Sequence, residues 1–150
     1  MFKDINTNLP LPRLHPLIMK QTNRHLFVYG TLLDSRNSYG AYLQQHCTLL
    51  QPGKFKGWLY DIGDFPGAIA DVHSEHYVHG SIYLMDEPEK ILEIIDDYEG
   101  FGDNQVQPNL FIRTQTIIET SNGPVKCWIY VYNLPVHGLY QIPGGNYRGV

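Results

Sequence analysis

Short apolar or alternating segments, separated by turn-forming residues, dominate the hydrophobic pattern of this chain. Segments of this kind predict β-strands at residues 26–29, 55–60, 68–72, 78–84, 110–120 and 125–133. Capping residues and helical spacing predict helices at residues 39–47 and 88–99. The pattern therefore predicts a strand-rich fold with many turns and few helices.

The helix predicted at residues 88–99 has a clear apolar face and one carboxylate that lies within it. At 100 degrees per residue, Glu99 falls between Ile95 and Leu92, whereas the other acidic residues of the helix fall on the solvent side. A carboxylate that faces a core is costly unless it is paired, hydrated in a cleft or protonated, and a general acid/base needs the same environment. Two structural alternatives stay open, namely a frayed helix end and an ion pair with Arg113.

The strand predicted at residues 26–29 ends in a tight turn, Tyr29-Gly30-Thr31-Leu32. Gly30 tolerates backbone angles that a residue with a β-carbon resists, and residues 34–38 form a capping cluster before the next helix. Such a junction leaves backbone N–H groups without partners, so it can bind an anion such as a carboxylate. An ordinary strand-to-loop junction is the alternative.

The chain length of 150 residues predicts one domain, at residues 25–150, preceded by an extended arm at residues 1–24. The arm contains three prolines and no regular apolar spacing. Two interpretations of it stay open: translation that starts at Met19, and an arm that packs on a partner subunit in a homodimer.

Charge and cysteine content narrow the classes of function. The net charge of -4, without a basic run, argues against nucleic-acid binding. Cys47 and Cys127 lie far apart and form no metal-ligand spacing, which indicates a reducing compartment. No apolar run is long enough to span a membrane, so we expect a soluble cytoplasmic protein. His73, His76 and His79 do not share one strand face, so no metal site is predicted.

The last predicted strand carries three aromatic residues on one face, Trp128, Tyr130 and Tyr132. Aromatic faces of this kind usually pack in a core or an interface. A phenol group that lines a substrate cleft is the alternative.

Several separated segments together resemble the gamma-glutamylcyclotransferase-like (AIG2-like) superfamily. These segments, in the order found in the superfamily, are Phe27–Leu33, Phe65–Ala68, His79–Tyr83, Ile95–Gly100, Phe111–Arg113 and Trp128–Asn133. The combination of the tyrosine-glycine-threonine-leucine turn with the aspartate-x-tyrosine-glutamate-glycine helix end makes the resemblance specific.

The resemblance implies an α+β fold with a curved, barrel-like sheet and a few peripheral helices. It implies that Tyr29, Gly30, Thr31 and Leu32 bind the α-amino acid end of a γ-glutamyl group and that Glu99 is the catalytic glutamate. Members with activity release 5-oxoproline from γ-glutamyl amino acids, γ-glutamyl-amines or related isopeptides. The implied reaction needs neither a cofactor nor a metal.

Two positions depart from the pattern of the superfamily. Phe111 stands where tyrosine is common, and Asn146 stands where aspartate is frequent. Either change is consistent with a different substrate or with a member that binds without turnover, and two rivals to the enzyme hypothesis stay open. A non-catalytic binding module for a small amino-acid-like anion would keep the cavity, whereas an oligomeric scaffold would have no cavity and an exposed or salt-bridged Glu99.

Overall fold

The computed structural model describes residues 21–147. In this part of the chain the strands are β1 His25–Val28, β2 Cys47–Asp61, β3 Pro66–Ala70, β4 Tyr77–Met85, β5 Phe111–Thr120, β6 Gly123–Tyr132 and β7 Tyr140–Gln141. The helices are α1 Ser38–His46 and α2 Pro88–Glu99, with short 3-10 turns at Thr31–Leu33 and Pro143–Gly145. Most of the predicted N-terminal arm, residues 1–20, lies outside the described residues.

Five strands close into a small mixed barrel. Their order is β2-β4-β1-β6-β5, and β5 returns to pair with β2 at Lys54 and Glu119. The β1–β6 pair is parallel and the other pairs are antiparallel. Strands β3 and β7 extend the sheet from β2. The α+β fold with a curved, barrel-like sheet is thus confirmed.

Strand β2 is much longer than the predicted strand at residues 55–60. It continues through Pro52 and Gly53, which have the composition of a turn, with a register shift between Leu49 and Gln51. A β-carbon on Gly53 would lie 2.5 Å from Cγ2 of Ile118, so glycine lets β5 approach β2 closely. The apparent turn is therefore where the barrel closes.

The strands separate two apolar cores, because successive side chains of a strand point to opposite faces. One core is assembled from buried residues of the barrel strands, among them Phe27, Phe55, Val78, Ile82, Ile118 and Ile129. The second core joins the sheet to the helices through Leu26, Val28, Leu43, Met85, Ile91 and Ile95. Strand β1 thus contributes to both cores, which fixes its end firmly.

Helix α2 follows its predicted boundaries. Pro88 occupies its first turn, and Gly100 ends it in the left-handed conformation, with φ of 75°. The Gly100 N–H donates to the carbonyl groups of Asp96 and Asp97. The helix end is therefore capped, and its last residue, Glu99, is held in a fixed direction.

Residues 21–24 are tied to helix α2 and to the barrel by hydrogen bonds. The Thr22 hydroxyl donates to the Glu89 carboxylate, and the Arg24 side chain donates to the Met85 carbonyl. The indole N–H of Trp128 donates to the Asn23 carbonyl. Between residues 21 and 147, no helix combines the length and the hydropathy that a membrane span requires.

Candidate active site

A cavity of about 250 Å³ lies at the end of β1. Its wall comes from residues 26–32, from Phe65 and Pro66 at the start of β3, from the end of α2, and from the start of β5 with Tyr130 of β6. All five predicted site residues, Tyr29, Gly30, Thr31, Leu32 and Glu99, line this one cavity. The presence of the cavity argues against the scaffold hypothesis, which required none.

The turn after β1 supplies backbone donors. The N–H groups of Leu33 and Asp34 donate to the carbonyl groups of Gly30 and Thr31, each at 3.0 Å. The N–H groups of Gly30, Thr31 and Leu32 have no acceptor within residues 21–147, because the first donors of a helical turn have no preceding carbonyl. The turn is therefore suited to bind an anion.

Glycine is needed at position 30 for space. The backbone of Gly30, with φ of -134° and ψ of -139°, lies outside the helical and extended regions. A β-carbon there would lie 2.9 Å from Cγ of Pro66. Glycine thus allows the turn to pack directly against the segment that carries Phe65 and Pro66.

The Tyr29 hydroxyl is already engaged by the protein. It donates to the Tyr130 carbonyl at 2.7 Å and accepts from the Ala68 N–H at 3.1 Å. Tyr29 is buried, and burial raises the pKa of its phenol above the ordinary value. The hydroxyl therefore fastens β1 to β3 and β6, and the ring is what borders the cavity.

Among the residues that the structure describes, Glu99 carries the one carboxyl group on the cavity wall. Its side chain makes no hydrogen bond or ion pair with any residue from 21 to 147. Burial raises the pKa of this carboxyl group to about 8. Arg113, the partner considered from the sequence, instead lies 3.4 Å from the Asp96 carboxylate and over the Trp128 ring.

Sequence reasoning missed the link between the turn and α2. The Tyr98 hydroxyl shares a hydrogen bond of 2.7 Å with the Thr31 hydroxyl and accepts another, of 2.9 Å, from the Asn37 amide. The Asn37 side chain also accepts from the Tyr39 and Gly40 N–H groups and so caps α1. The capping cluster was visible in the sequence, but its contact with Tyr98 was not.

Asp96 does not face solvent in the way that the helical wheel predicted. The Tyr130 hydroxyl donates to Asp96 at 2.6 Å, and Arg113 lies on the other carboxylate oxygen. These contacts join α2 to β5 and β6 behind the cavity. The aromatic face of β6 thus packs under α2, while Tyr130 also lines the cavity.

The two departures from the superfamily pattern differ in position. Phe111 lines the cavity, and its ring lies 5.9 Å from Phe65 and 5.7 Å from Tyr132, between centroids. Asn146 is exposed, lies outside the cavity wall, and donates to the Gly144 carbonyl. Only the change at position 111 therefore alters the cavity wall.

The histidines named in the sequence analysis lie away from the cavity. His76 stacks on Trp58 with ring centroids 4.6 Å apart. Within residues 21–147, no group of three or more His, Cys, Asp or Glu side chains is arranged to hold a metal ion.

A closed mixed barrel, with a turn of free backbone N–H groups and a half-buried glutamate on one cavity wall, defines a small α+β protein with an enzyme-like site. The sequence pattern of the family described as "Gamma-glutamyl cyclotransferase, AIG2-like" matches residues 26–149. The chain belongs to this family.

Named relatives support the assignment. The chain is 32% identical to a gamma-L-glutamyl-butirosin B gamma-glutamyl cyclotransferase from Niallia circulans, over 73% of this chain and 67% of the relative. It is 31% identical to a gamma-glutamylaminecyclotransferase from Rattus norvegicus, over 71% of this chain and 76% of the relative. The family and these names indicate a gamma-glutamylcyclotransferase enzyme.

Solved structures share the fold. An AIG2-like protein from Mus musculus superimposes with a TM-score of 0.58 and 26% identity, over 82% of this chain and 92% of the mouse protein. YkqA from Bacillus subtilis superimposes with a TM-score of 0.63 and 24% identity over 84% of this chain. The chain spans 40% of the length of YkqA, so that likeness concerns the fold alone.

Proposed function

We propose that this protein cyclises a γ-glutamyl amide to 5-oxoproline and releases the amine. The observation that carries the proposal is the position of Glu99 and the Gly30–Leu32 turn on one cavity. The relatives named for γ-glutamyl-butirosin and for γ-glutamylamines support the substrate class.

In the proposed complex, the turn holds the substrate by its α-carboxylate. The N–H groups of Gly30, Thr31 and Leu32 have no protein acceptor among the described residues, so they donate to the carboxylate oxygens. The α-nitrogen of the same substrate then lies within reach of its own γ-carbonyl. Fixing this geometry in advance supplies much of the acceleration of an intramolecular reaction.

Glu99 moves the protons in this proposal. Its ionised carboxylate takes a proton from the α-ammonium group, and the freed nitrogen attacks the γ-carbonyl carbon. A bond between these two atoms forms, Glu99 returns its proton to the departing nitrogen, and the amide bond to that nitrogen breaks. Glu99 then takes the second proton from the ring nitrogen and passes it to the released amine, which leaves as an ammonium ion. A pKa of about 8 suits both transfers, because the carboxyl group then exchanges protons readily near neutral pH.

The proposed step uses no metal, nucleotide or covalent nucleophile. We also place the enzyme in the cytoplasm, because Cys47 and Cys127 are both free thiols and a reducing compartment keeps thiols in this state.

A panel of γ-glutamyl amino acids and γ-glutamyl amines tests the proposal. Each compound is incubated with the full-length protein, and 5-oxoproline is measured by chromatography against a protein-free control for spontaneous cyclisation. We expect release from at least one compound. Thermal stabilisation by several compounds without any release would instead support the non-catalytic binding module.

A further inference from the structure

We infer that the amine released from the substrate is an apolar alkyl or aryl amine without a carboxylate, and that Phe65 and Phe111 bind it. This inference rests on the proposed function, because it assigns the second half of the same substrate. It concerns the part of the cavity that the turn and Glu99 do not occupy.

Phe65 and Phe111 each lie beside one functional part of the site. Phe65 lies beside the turn at Gly30, and Phe111 lies beside the end of α2, which carries Glu99. Pro66, next to Phe65, packs against Gly30, where an added β-carbon would lie 2.9 Å from it. Leu110, next to Phe111, packs against Gly100, where an added β-carbon would lie 3.6 Å from it.

The rings themselves meet between these contacts. Their centroids are 5.9 Å apart with planes at 54°, a spacing typical of paired aromatic rings. The wall from the turn to Glu99 is thus aromatic, and both rings border the cavity.

The turn binds the α-carboxylate of the γ-glutamyl group in the proposed complex. The charges around the cavity disfavour a second carboxylate, on the departing amine. Among residues 21–147, the wall contains no lysine, arginine or histidine, and Glu99 is its one acidic residue. The nearby cation of Arg113 is occupied by Asp96 and by the Trp128 ring. A carboxylate on the departing amine would therefore lie near Glu99 without a cation to offset the repulsion and the loss of water.

The phenyl ring of Phe111, on the cavity wall, acts in the same direction. A phenol at this position offers a hydrogen-bond donor to a polar departing group, whereas Phe111 offers only its ring. Its ring is almost fully buried and packs on Phe65 and Tyr132, so it is held in place as a flat apolar surface.

A matched pair of compounds tests the inference. γ-Glutamyl-2-phenylethylamine and γ-glutamyl-phenylalanine differ by one carboxylate, and kcat/KM is measured for each from 5-oxoproline release. We expect the amine compound to be favoured on the order of 100-fold, the cost of an unpaired charged group. Equal turnover, or a preference for γ-glutamyl-phenylalanine, overturns the inference and leaves the proposed function standing. No turnover of either compound also overturns it, and the wider panel then decides the proposed function separately.

A variant locates the preference on the aromatic wall. In the Phe65→Leu variant, KM for γ-glutamyl-2-phenylethylamine is expected to rise several-fold above the wild-type value. KM for γ-glutamyl-ethylamine should change much less, because this smaller amine does not reach the lost ring surface. Phe101→Leu is the matched control, since Phe101 lies near the end of α2 but outside the cavity wall. An unchanged ratio of the two KM values in Phe65→Leu, or the same change in Phe101→Leu, overturns the assignment of the subsite.

Discussion

Replacing Glu99 by glutamine is expected to stabilise the folded protein at neutral pH. Glutamine has the shape of the protonated glutamate and keeps the cavity filled in the same way. It removes the cost of holding a carboxylate in a place where burial raises the pKa to about 8. A residue that is costly for folding and sits in a functional cavity is expected of a catalytic group.

The size of the effect follows from the two pKa values. Between the ordinary pKa of 4.5 and about 8, the folded protein binds more protons than the unfolded chain, so the free energy of unfolding falls as the pH rises. At pH 7, which is two and a half units above the ordinary pKa of 4.5, the ionisation of Glu99 lowers the free energy of unfolding by about 3 kcal/mol. At pH 5 it lowers the free energy of unfolding by about 1 kcal/mol. Glu99 keeps partial contact with solvent, which lowers these figures, so a gain of about 1–3 kcal/mol is expected at pH 7.

Denaturant unfolding of wild type and Glu99→Gln between pH 5 and pH 8 measures the difference. We expect Glu99→Gln to be the more stable protein, by a margin that grows with pH. Glu93→Gln on the exposed side of α2 is the matched control, and it should change the free energy of unfolding by less than about 0.5 kcal/mol. The reasoning would be refuted if the stability gain of Glu99→Gln over wild type were no larger at pH 7 than at pH 5.

Three further outcomes are expected. Tyr29→Phe removes the hydroxyl that bridges Tyr130 and Ala68, so the free energy of unfolding in denaturant should fall by about 1–3 kcal/mol; an unchanged midpoint would contradict the bridge. Gly40→Ala places a β-carbon 2.3 Å from the Asp34 carbonyl oxygen, so thermal unfolding should show a loss of about 1–3 kcal/mol, and a neutral effect would mean that α1 is free to shift. The kcat/KM for 5-oxoproline release should rise with pH through about 8, because Glu99 must be ionised to accept a proton; a profile that falls between pH 6 and pH 8 is incompatible with this role.

The features that the sequence predicted well depend on local patterns. Helix α2 has a proline in its first turn, a regular apolar face and a glycine at its end, and each of these signals is contained within a few residues. The inward direction of Glu99 follows from the same periodicity. Its location on the cavity wall therefore agrees with the expectation drawn from spacing alone.

The features that the sequence did not predict depend on contacts between distant segments. Pro52 and Gly53 have the composition of a turn, and only the approach of β5 explains why β2 continues through them. Asp96 lies on the polar side of α2 by periodicity, but Tyr130 and Arg113 reach it from β6 and β5. The barrel topology determines which distant residues become partners. The spacing of residues along a single sequence does not reveal that topology.

The most direct test of the central claim compares 5-oxoproline formation by wild type and by Glu99→Gln from the same γ-glutamyl amide at pH 8. Because the carboxylate both accepts and returns the proton in the proposed reaction, we expect Glu99→Gln to lose activity by about 100-fold or more while it still folds. The exposed Glu93→Gln variant should retain the wild-type rate. A Glu99→Gln protein that forms 5-oxoproline at the wild-type rate would contradict the account.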